Sequence, residues 1–314
     1  MKRLVLLAFP LVAAGLATLA TAQSGRTAFM VVETGQGYSQ LAQAINAIGD
    51  GDGTILVAPG TYHQCAVQND GNITIRARER GTAIFAQMVC EDKAALVLRG
   101  RGATIDGLVF QDYAVADGNG AGIRLEKGNL TVSYTSFRNS EEGILTAGDP
   151  NGHIVIDRST FSHLGRCDRD LSCAHSIYIG DYGSLTVTRS RFEAGDGGHY
   201  VKSRSAKAQI IDNSFDDSAG KTTNYMIDLP AGATGLIENN VMVQGRDKEN
   251  WSAFIAVGAE GNDNGSDGLA IRGNRASYVP GLKRNSAFIA DWSGDKLIIG
   301  TNVIGAGVKP YERR

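Results

Sequence analysis

A strand-and-turn unit recurs along most of this chain of 314 residues. The copies are LTVSYTSF (130–137), IVIDRSTF (154–161), LTVTRSRF (185–192), AQIIDNSF (208–215), TGLIENNV (234–241), GLAIRGNR (268–275) and KLIIGTNV (296–303). Apolar and polar residues alternate within each copy, which indicates a strand of period two. The copies end 23 to 34 residues apart, a spacing typical of solenoids. The pattern therefore predicts a parallel β-solenoid.

The copies are aligned here on their last residue. The third position is then always apolar: Val132, Ile156, Val187, Ile210, Leu236, Ala270 and Ile298. The sixth position is always small or polar: Thr135, Ser159, Ser190, Asn213, Asn239, Gly273 and Thr301.

A second strand precedes each of these units. We take its inward residues to be Ile123, Ile144, Ile177, Val201, Ile227, Ile255 and Ile289. Alternation then turns the next residue of each strand outward: Arg124, Leu145, Tyr178, Lys202, Asp228, Ala256 and Ala290. Because neighbouring coils stack about 4.8 Å apart, we expect Tyr178, Lys202 and Asp228 to lie one above another.

Composition supports a single elongated domain over residues 23–314. The chain has 40 glycines and 6 prolines, which favours many short strands joined by glycine-rich turns over a helical domain. The formal net charge is −2, so no global basic field points to a nucleic-acid partner.

Residues 1–22 have the pattern of a secretory signal peptide. Lys2 and Arg3 precede an apolar run, and Ala20-Thr21-Ala22 forms an A-x-A cleavage site. No later run is apolar enough to span a bilayer. We therefore predict a secreted or periplasmic protein with no membrane span after cleavage.

The four cysteines fit an oxidising compartment. Cys65 and Cys90 are 25 residues apart, about one coil, and Cys167 and Cys173 bracket the short loop CDRDLSC. We predict the disulfides 65–90 and 167–173, with free buried thiols as the alternative.

The N-terminal part of the sequence resembles a known superfamily. SQLAQAINAI (39–48) has a helical pattern and is followed by GDGDGTILVAPGTYHQ (49–64). Together they are similar to the first coil of the pectin-lyase-like superfamily. This resemblance implies a single-stranded right-handed parallel β-helix, capped by a short helix and monomeric. Many members act on acidic polysaccharides, whereas others bind sugars or are structural.

The segment DGGHYVKSRSAK (196–207) carries the candidate site. It brings His199, Lys202 and Arg204 near Tyr178 and Asp228 of the neighbouring coils. This local excess of positive charge suits an anionic glycan. As substrate-binding residues we predict Asp228 with an outward-facing Tyr200, His175 at the start of the strand above, and Trp251, whose ring can stack on a sugar.

These residues suit β-elimination on a uronic acid. The C5 proton becomes acidic once a cation, Arg204 or a bound Ca²⁺, neutralises the adjacent carboxylate. Lys202 beside Arg204 is the candidate base, although Asp228 opposes the required fall in its pKa. Tyr178, Tyr200 or His199 would protonate the departing O4. We assign no metal ligands, because GNDNGSDG (261–268) has the pattern of an ordinary turn.

HYVKSRSAKAQIIDNSF (199–215) also resembles the strand and turn of the alginate-lyase and chondroitinase-B group of β-helix lyases. The resemblance implies that Lys202, within Val201-Lys202-Ser203, is the base. The group's catalytic arginine lies on the next coil, where this chain has YMIDLPAG (225–232), so Arg204 is a positional substitute.

Three alternatives remain open at this point. A glycoside hydrolase would use two carboxylates, and the candidates are Asp181, Asp196, Asp228 and Glu260. A C5 epimerase would share the proton abstraction with a lyase. A glycan-binding or surface β-helix would need no catalysis. The long insertions near 165–174 and 244–252 favour a site walled by loops.

Overall fold

A computed structural model describes residues 27–314, so the predicted signal peptide lies outside the described residues. Over this range the chain winds into a solenoid of about nine turns, built from three sheets. The predicted all-β parallel β-helix is confirmed. In residues 27–314 no helix has both the length and the apolar character needed to cross a bilayer.

The first sheet has 12 strands, parallel except at its N-terminal edge, where Phe29–Val31 runs antiparallel to both of its neighbours. In spatial order its strands are Gly37–Tyr38, Phe29–Val31, Asp52–Val57, Asn72–Ala77, Gly102–Asp106, Asn129–Ser133, Asp149–Asp157, Tyr182–Thr188, Lys207–Ile211, Thr234–Glu238, Ala270–Arg272 and Ile298–Ile299.

The other two sheets are parallel throughout and have ten strands each. The second contains Gly60–Tyr62, Ala83–Ala86, Leu108–Gln111, Ser136–Ser140, Thr160–Leu164, Arg191–Glu193, Ser214–Asp216, Val241–Gln244, Arg275–Tyr278 and Val303–Ile304. The third contains Ala66–Gln68, Ala94–Leu98, Ala121–Leu125, Glu142–Thr146, Ile177–Ile179, Val201–Ser203, Ile227–Leu229, Ala253–Val257, Ala287–Asp291 and Lys309–Arg313.

The helix Leu41–Ile48 covers the N-terminal end of the solenoid. It buries Leu41, Ala44 and Ile45 in the main core. This contact removes apolar core surface from water and covers strand edges that would otherwise be open to pairing with another chain.

A column of stacked phenylalanines fills the core along the second sheet. Consecutive ring centroids are 4.8–5.7 Å apart, and each ring is fully buried. Burial of one such side chain contributes about 1.5–3 kcal/mol. The column consists of Phe85, Phe110, Phe137, Phe161, Phe192 and Phe215.

The repeat alignment is correct for the first four units and wrong by one residue in the last three. Phe215 pairs with Met242, not Val241, and Ile210 pairs with Ile237, not Leu236. The sixth position therefore continues from Asn213 as Asn240, Asn274 and Asn302. Each of these amide oxygens accepts the backbone N–H of the equivalent residue one coil earlier. The ladder satisfies buried backbone groups at the corner, which fixes the register.

In the third sheet the predicted columns are in the observed register. Ile177, Val201 and Ile227 are paired in succession, as are Tyr178, Lys202 and Asp228. Both predicted disulfides are present, Cys65–Cys90 and Cys167–Cys173.

The outward placement of Tyr200 is wrong. Tyr200 is 1% exposed, packs against Phe192 and Phe215, and donates its hydroxyl to Asp217 at 2.8 Å. The chain does not alternate at this point, because Tyr200, the residue before the inward Val201, also points inward. In the following coils the same position holds the core residues Met226, Phe254 and Phe288.

Candidate active site

A cleft of about 710 Å³ lies on the outer face of the third sheet. Its floor includes His175, Tyr178, His199 and Lys202. The two long insertions of the sequence form its walls, through Ser172 and Cys173 on one side and Glu249 on the other. The site is thus walled by loops, as the uneven repeat spacing suggested.

Lys202 lies at the centre of this floor and is 8% exposed. Its Nζ is 2.6 Å from Oε1 of Glu260 and 3.6 Å from Oδ2 of Asp228. The ammonium also lies 5.6 Å from the centroid of the Tyr178 ring. One cation therefore contacts two carboxylates and one aromatic face.

Arg204 projects two residues farther along the chain, at the margin of the cleft. Its Nε donates to the Tyr178 hydroxyl at 3.0 Å, and its terminal nitrogen donates to the second carboxylate oxygen of Glu260. Ion pairing with Lys202 and Arg204 outweighs partial burial and lowers the pKa of Glu260. The Glu260 carboxylate is held as an anion between the two cations.

Asp228 is 2% exposed and lies beneath Lys202 and His199. Burial raises its pKa to about 7, although the nearby Lys202 acts in the opposite direction. Its Oδ1 is buried without a hydrogen-bond partner in the described residues. Asp228 is therefore a carboxyl group that readily takes up a proton.

His175 and His199 stack with ring centroids 4.9 Å apart. Burial lowers the pKa of His175 to about 3 and that of His199 well below its ordinary value. The backbone N–H of His199 donates to Nδ1 of His175 at 3.0 Å, which places the proton of the neutral His175 ring on Nε2. Nε2 of His199 lies 3.4 Å from Oδ2 of Asp228.

His175 and His199 belong to a column of equivalent positions on successive coils of the third sheet. Sequence reasoning missed two further members of this column. Glu142 and Tyr225 stand two residues before an inward isoleucine, as His175 and His199 do relative to Ile177 and Val201. Both are buried, and burial raises the pKa of Glu142 well above its ordinary value. The fixed offset in the aligned sequence was the available signal.

Glu260 is another residue of the cleft that the predicted site omitted. It lies in a turn after the strand Ala253–Val257 and was considered only as a hydrolase carboxylate. No strand register predicts its position, because its side chain reaches back to the strand Val201–Ser203.

Two predicted substrate-binding residues lie elsewhere. Tyr200 is in the core. Trp251 is 42% exposed and does not line the cleft. Its ring centroid lies 5.6 Å from the guanidinium carbon of Arg284. Of the other hydrolase candidates, Asp196 pairs with Lys221 outside the cleft.

The charges of the site do not suit a calcium centre. Over residues 27–314 no group of three or more His, Cys, Asp or Glu side chains is arranged to hold a metal ion. Asp228 and Glu260 both face Lys202, whose positive charge would repel a bound cation.

The same contacts argue against a pair of hydrolytic carboxylates. A glycosidase needs a sugar-sized space between its acid and its base or nucleophile. Here the Lys202 ammonium occupies the space between Asp228 and Glu260.

The chain belongs to the right-handed β-helix family. The family model for the right-handed β-helix region matches residues 53–215, more than half of the chain. No curated protein sequence matches it significantly.

Three solved structures share the fold at low identity. ORF18 of Geobacillus virus E2 has a TM-score of 0.56 and 14% identity, over 87% of this chain and 56% of that one. The PL6-family alginate lyase AlyGC has a TM-score of 0.53 and 15% identity, over 80% and 36%. Pectin methylesterase from Aspergillus niger has a TM-score of 0.52 and 12% identity, over 86% and 83%.

The expected resemblance to pectin-lyase-like proteins is thus confirmed for the fold. This chain spans about half of the viral protein and about a third of the lyase.

Proposed function

We propose that this protein is an exported enzyme that cleaves a uronic-acid-containing polysaccharide by β-elimination. The observation that carries the proposal is the convergence of Lys202 and Arg204 on a single carboxylate, that of Glu260. Arg204 can hold the carboxylate of a uronate residue in the same way, with Lys202 beside it as the base. The two disulfides are compatible with export.

Neutralising the uronate carboxylate is the first requirement. Arg204 is suited to this role, because a guanidinium stays charged at every working pH and its planar donors match a carboxylate. The charge that develops on the carboxylate as the C5 proton leaves would be stabilised by Arg204.

Lys202 is the proposed base and must itself lose a proton before it acts. Asp228 provides a place for that proton, since its Oδ2 is 3.6 Å from Nζ and burial has raised its pKa to about 7. Transfer of one proton converts the buried ion pair into a neutral amine and a neutral acid.

The elimination then proceeds through one set of bond changes. The Lys202 amine takes the C5 proton, the electrons of that bond form the C4–C5 double bond, and the C4–O4 bond breaks. Tyr178 is the proposed acid for O4, because its oxygen accepts a hydrogen bond from Arg204 and its own proton can be donated into the cleft. The products are an unsaturated non-reducing end and a new hydroxyl.

The test is the absorbance near 235 nm, where the unsaturated product absorbs, during incubation with pectate, alginate, hyaluronate and chondroitin sulfate. The mature wild-type protein is compared with Lys202→Ala and with Lys207→Ala, an exposed lysine on the neighbouring sheet. We expect a rise with at least one substrate that Lys202→Ala abolishes and Lys207→Ala retains.

Other outcomes would replace the proposal. Release of reducing ends without absorbance would indicate hydrolysis. Incorporation of solvent deuterium at C5 without cleavage would indicate an epimerase. Binding with no chemical change would indicate a glycan-binding β-helix.

A further inference from the structure

Glu260 is held in the cleft by its side chain and in the fold by its backbone. Its N–H donates to the carbonyl of Pro230 at 2.9 Å, and Gly258 bonds to Leu229 at the same distance. Asn264, later in the same loop, donates to the carbonyl of Arg204 at 2.9 Å. The loop is therefore anchored on both sides of Glu260.

The Glu260 side chain is by contrast the most solvent-accessible member of the ion-pair cluster. This side chain is 45% exposed, against 10% for the side chain of Lys202 and 30% for that of Arg204. Rotation about its side-chain bonds would take the carboxylate into solvent while the loop stays in place. Lys202 and Arg204 would remain at the margin and floor of the cleft.

We propose that Glu260 is an internal ligand that occupies the carboxylate subsite of the cleft and that an incoming uronate displaces. This inference rests on the proposed function, because it identifies Arg204, beside the base Lys202, as the group that receives the substrate carboxylate.

Displacement by a uronate exchanges one carboxylate for another. Arg204 keeps an anionic partner throughout, and Asp228 stays 3.6 Å from Lys202, so the exchange does not leave a partly buried charge unpaired. A neutral or esterified sugar cannot provide that compensation. Glu260 thus makes binding depend on the substrate carboxylate. The site discriminates against neutral sugars through a competing internal contact, not through an additional attraction to the uronate.

Competition of this kind lowers the apparent affinity of the wild-type protein. The apparent dissociation constant rises in inverse proportion to the fraction of molecules in which the subsite is open. Glu260→Gln keeps the size of the side chain and removes the charge that holds it in place. If the subsite is open in roughly one wild-type molecule in ten, this variant should bind uronates about tenfold more tightly than the wild type.

Methyl glycosides of galacturonate, guluronate and glucuronate are suitable probes, since they have no glycosidic bond at O4 to cleave. Their methyl esters are the neutral counterparts. Binding is measured by nuclear magnetic resonance on protein labelled with ¹³C at the glutamate carboxyls, and the Glu260 signal is assigned by its absence in Glu260→Gln. Glu238→Gln is the matched control, because Glu238 pairs with Arg272 on the first sheet at 2.6 Å.

At least one uronate should shift the Glu260 carboxyl signal and leave the Glu238 signal unchanged, and its methyl ester should shift neither. The same uronate should bind Glu260→Gln more tightly than wild type or Glu238→Gln. Weaker or unchanged binding to Glu260→Gln would overturn the inference, as would the absence of binding by both proteins. If the exchange is observed but no polysaccharide is eliminated, the subsite stands and the proposed chemistry fails.

Discussion

The Nζ of Lys202 lies 2.6 Å from the Oε1 of Glu260, although 58 residues separate them in the chain. Register alone would place beside Lys202 only Tyr178 and Asp228 of the adjacent coils. Glu260 arrives from a loop that follows a strand two coils away, so the site combines ladder neighbours with a residue that crosses coils.

Tyr178→Phe should lower kcat roughly 100-fold and leave KM nearly unchanged. The ring stays beside Lys202, but the hydroxyl that would protonate O4 is lost. Initial rates at 235 nm measure the effect on the substrate that the wild type cleaves. Tyr134→Phe is the control, since Tyr134 is exposed and lies under Arg80 far from the cleft residues. An unchanged kcat for Tyr178→Phe would exclude Tyr178 as the acid.

Tyr200→Phe should lower the free energy of unfolding by about 1–3 kcal/mol, because Asp217 loses a buried hydrogen bond of 2.8 Å. Urea denaturation measures this change. The control is Tyr182→Phe, in which the lost hydroxyl is buried without a partner among the described residues, so that little stability should be lost. Equal stability of Tyr200→Phe and wild type would contradict the position of Tyr200 in the core.

Asn240→Ala should destabilise the protein by about 3 kcal/mol, because the buried N–H of Asn213 loses its acceptor and the amide ladder is interrupted. Asn239→Gly should have little effect, since Asn239 has φ of 56° and glycine adopts this conformation readily. Thermal and urea denaturation of the two variants compare neighbouring residues directly. The reverse order of stability would support the alignment in which Asn239 occupies the ladder.

The two disulfides should contribute unequally. Cys65–Cys90 closes 25 residues and Cys167–Cys173 closes 6, so loop-closure entropy gives about 3.5 and 2 kcal/mol. Replacement of each pair by alanine, followed by urea denaturation, measures these values. Removal of the disulfide Cys167–Cys173 should also raise KM, because Cys173 lines the cleft. A KM change confined to the Cys65 and Cys90 variant would contradict the placement of the cleft.

Stability should fall as the pH is lowered from about 6.5 toward 3, partly because of His175. Unfolded histidine takes up a proton near pH 6.5, whereas burial keeps the pKa of folded His175 at about 3. The stabilisation is complete above the unfolded pKa and is lost as the pH falls toward the folded one. His175→Asn should reduce this slope in urea denaturation between pH 7 and 4, and an unchanged slope would contradict the burial of a neutral ring.

Asp228 should act in the opposite direction. Its folded pKa of about 7 lies above the ordinary value near 4, so its contribution is present below pH 4 and lost as the pH rises through 7. The free energy of unfolding of Asp228→Asn should therefore rise relative to wild type as the pH increases from 4 to 7. A difference that is constant with pH would show that Asp228 titrates alike in both states.

Sequence periodicity was sufficient to predict the architecture and the column of Tyr178, Lys202 and Asp228. Strand register repeats from coil to coil, so one correctly assigned inward residue places its neighbours. The same reasoning failed at Tyr200, because strict alternation does not allow for two successive inward residues, as at Tyr200 and Val201. It also failed at Asn240. A one-residue shift in the repeat alignment kept the apolar pattern but placed Asn239, not Asn240, in the asparagine ladder.

The rest of the site depends on interactions that periodicity does not encode. Glu260 lies in a loop, and its position is set by charge attraction to Lys202 and Arg204 and by backbone bonds to Pro230. Trp251 was proposed from its residue type alone, and a solvent-exposed aromatic ring has no register that ties it to the cleft.

The most direct test of the central claim is the mass of the oligosaccharides formed from the substrate that gives absorbance at 235 nm. Elimination breaks the C4–O4 bond without adding water, so each cleavage should leave one product lighter by one water molecule than its saturated counterpart. Lys202→Ala should form neither product, whereas Lys207→Ala should form both. Saturated products from the wild type, or unsaturated products at an undiminished rate from Lys202→Ala, would contradict the assignment of Lys202 as the base of an eliminating lyase.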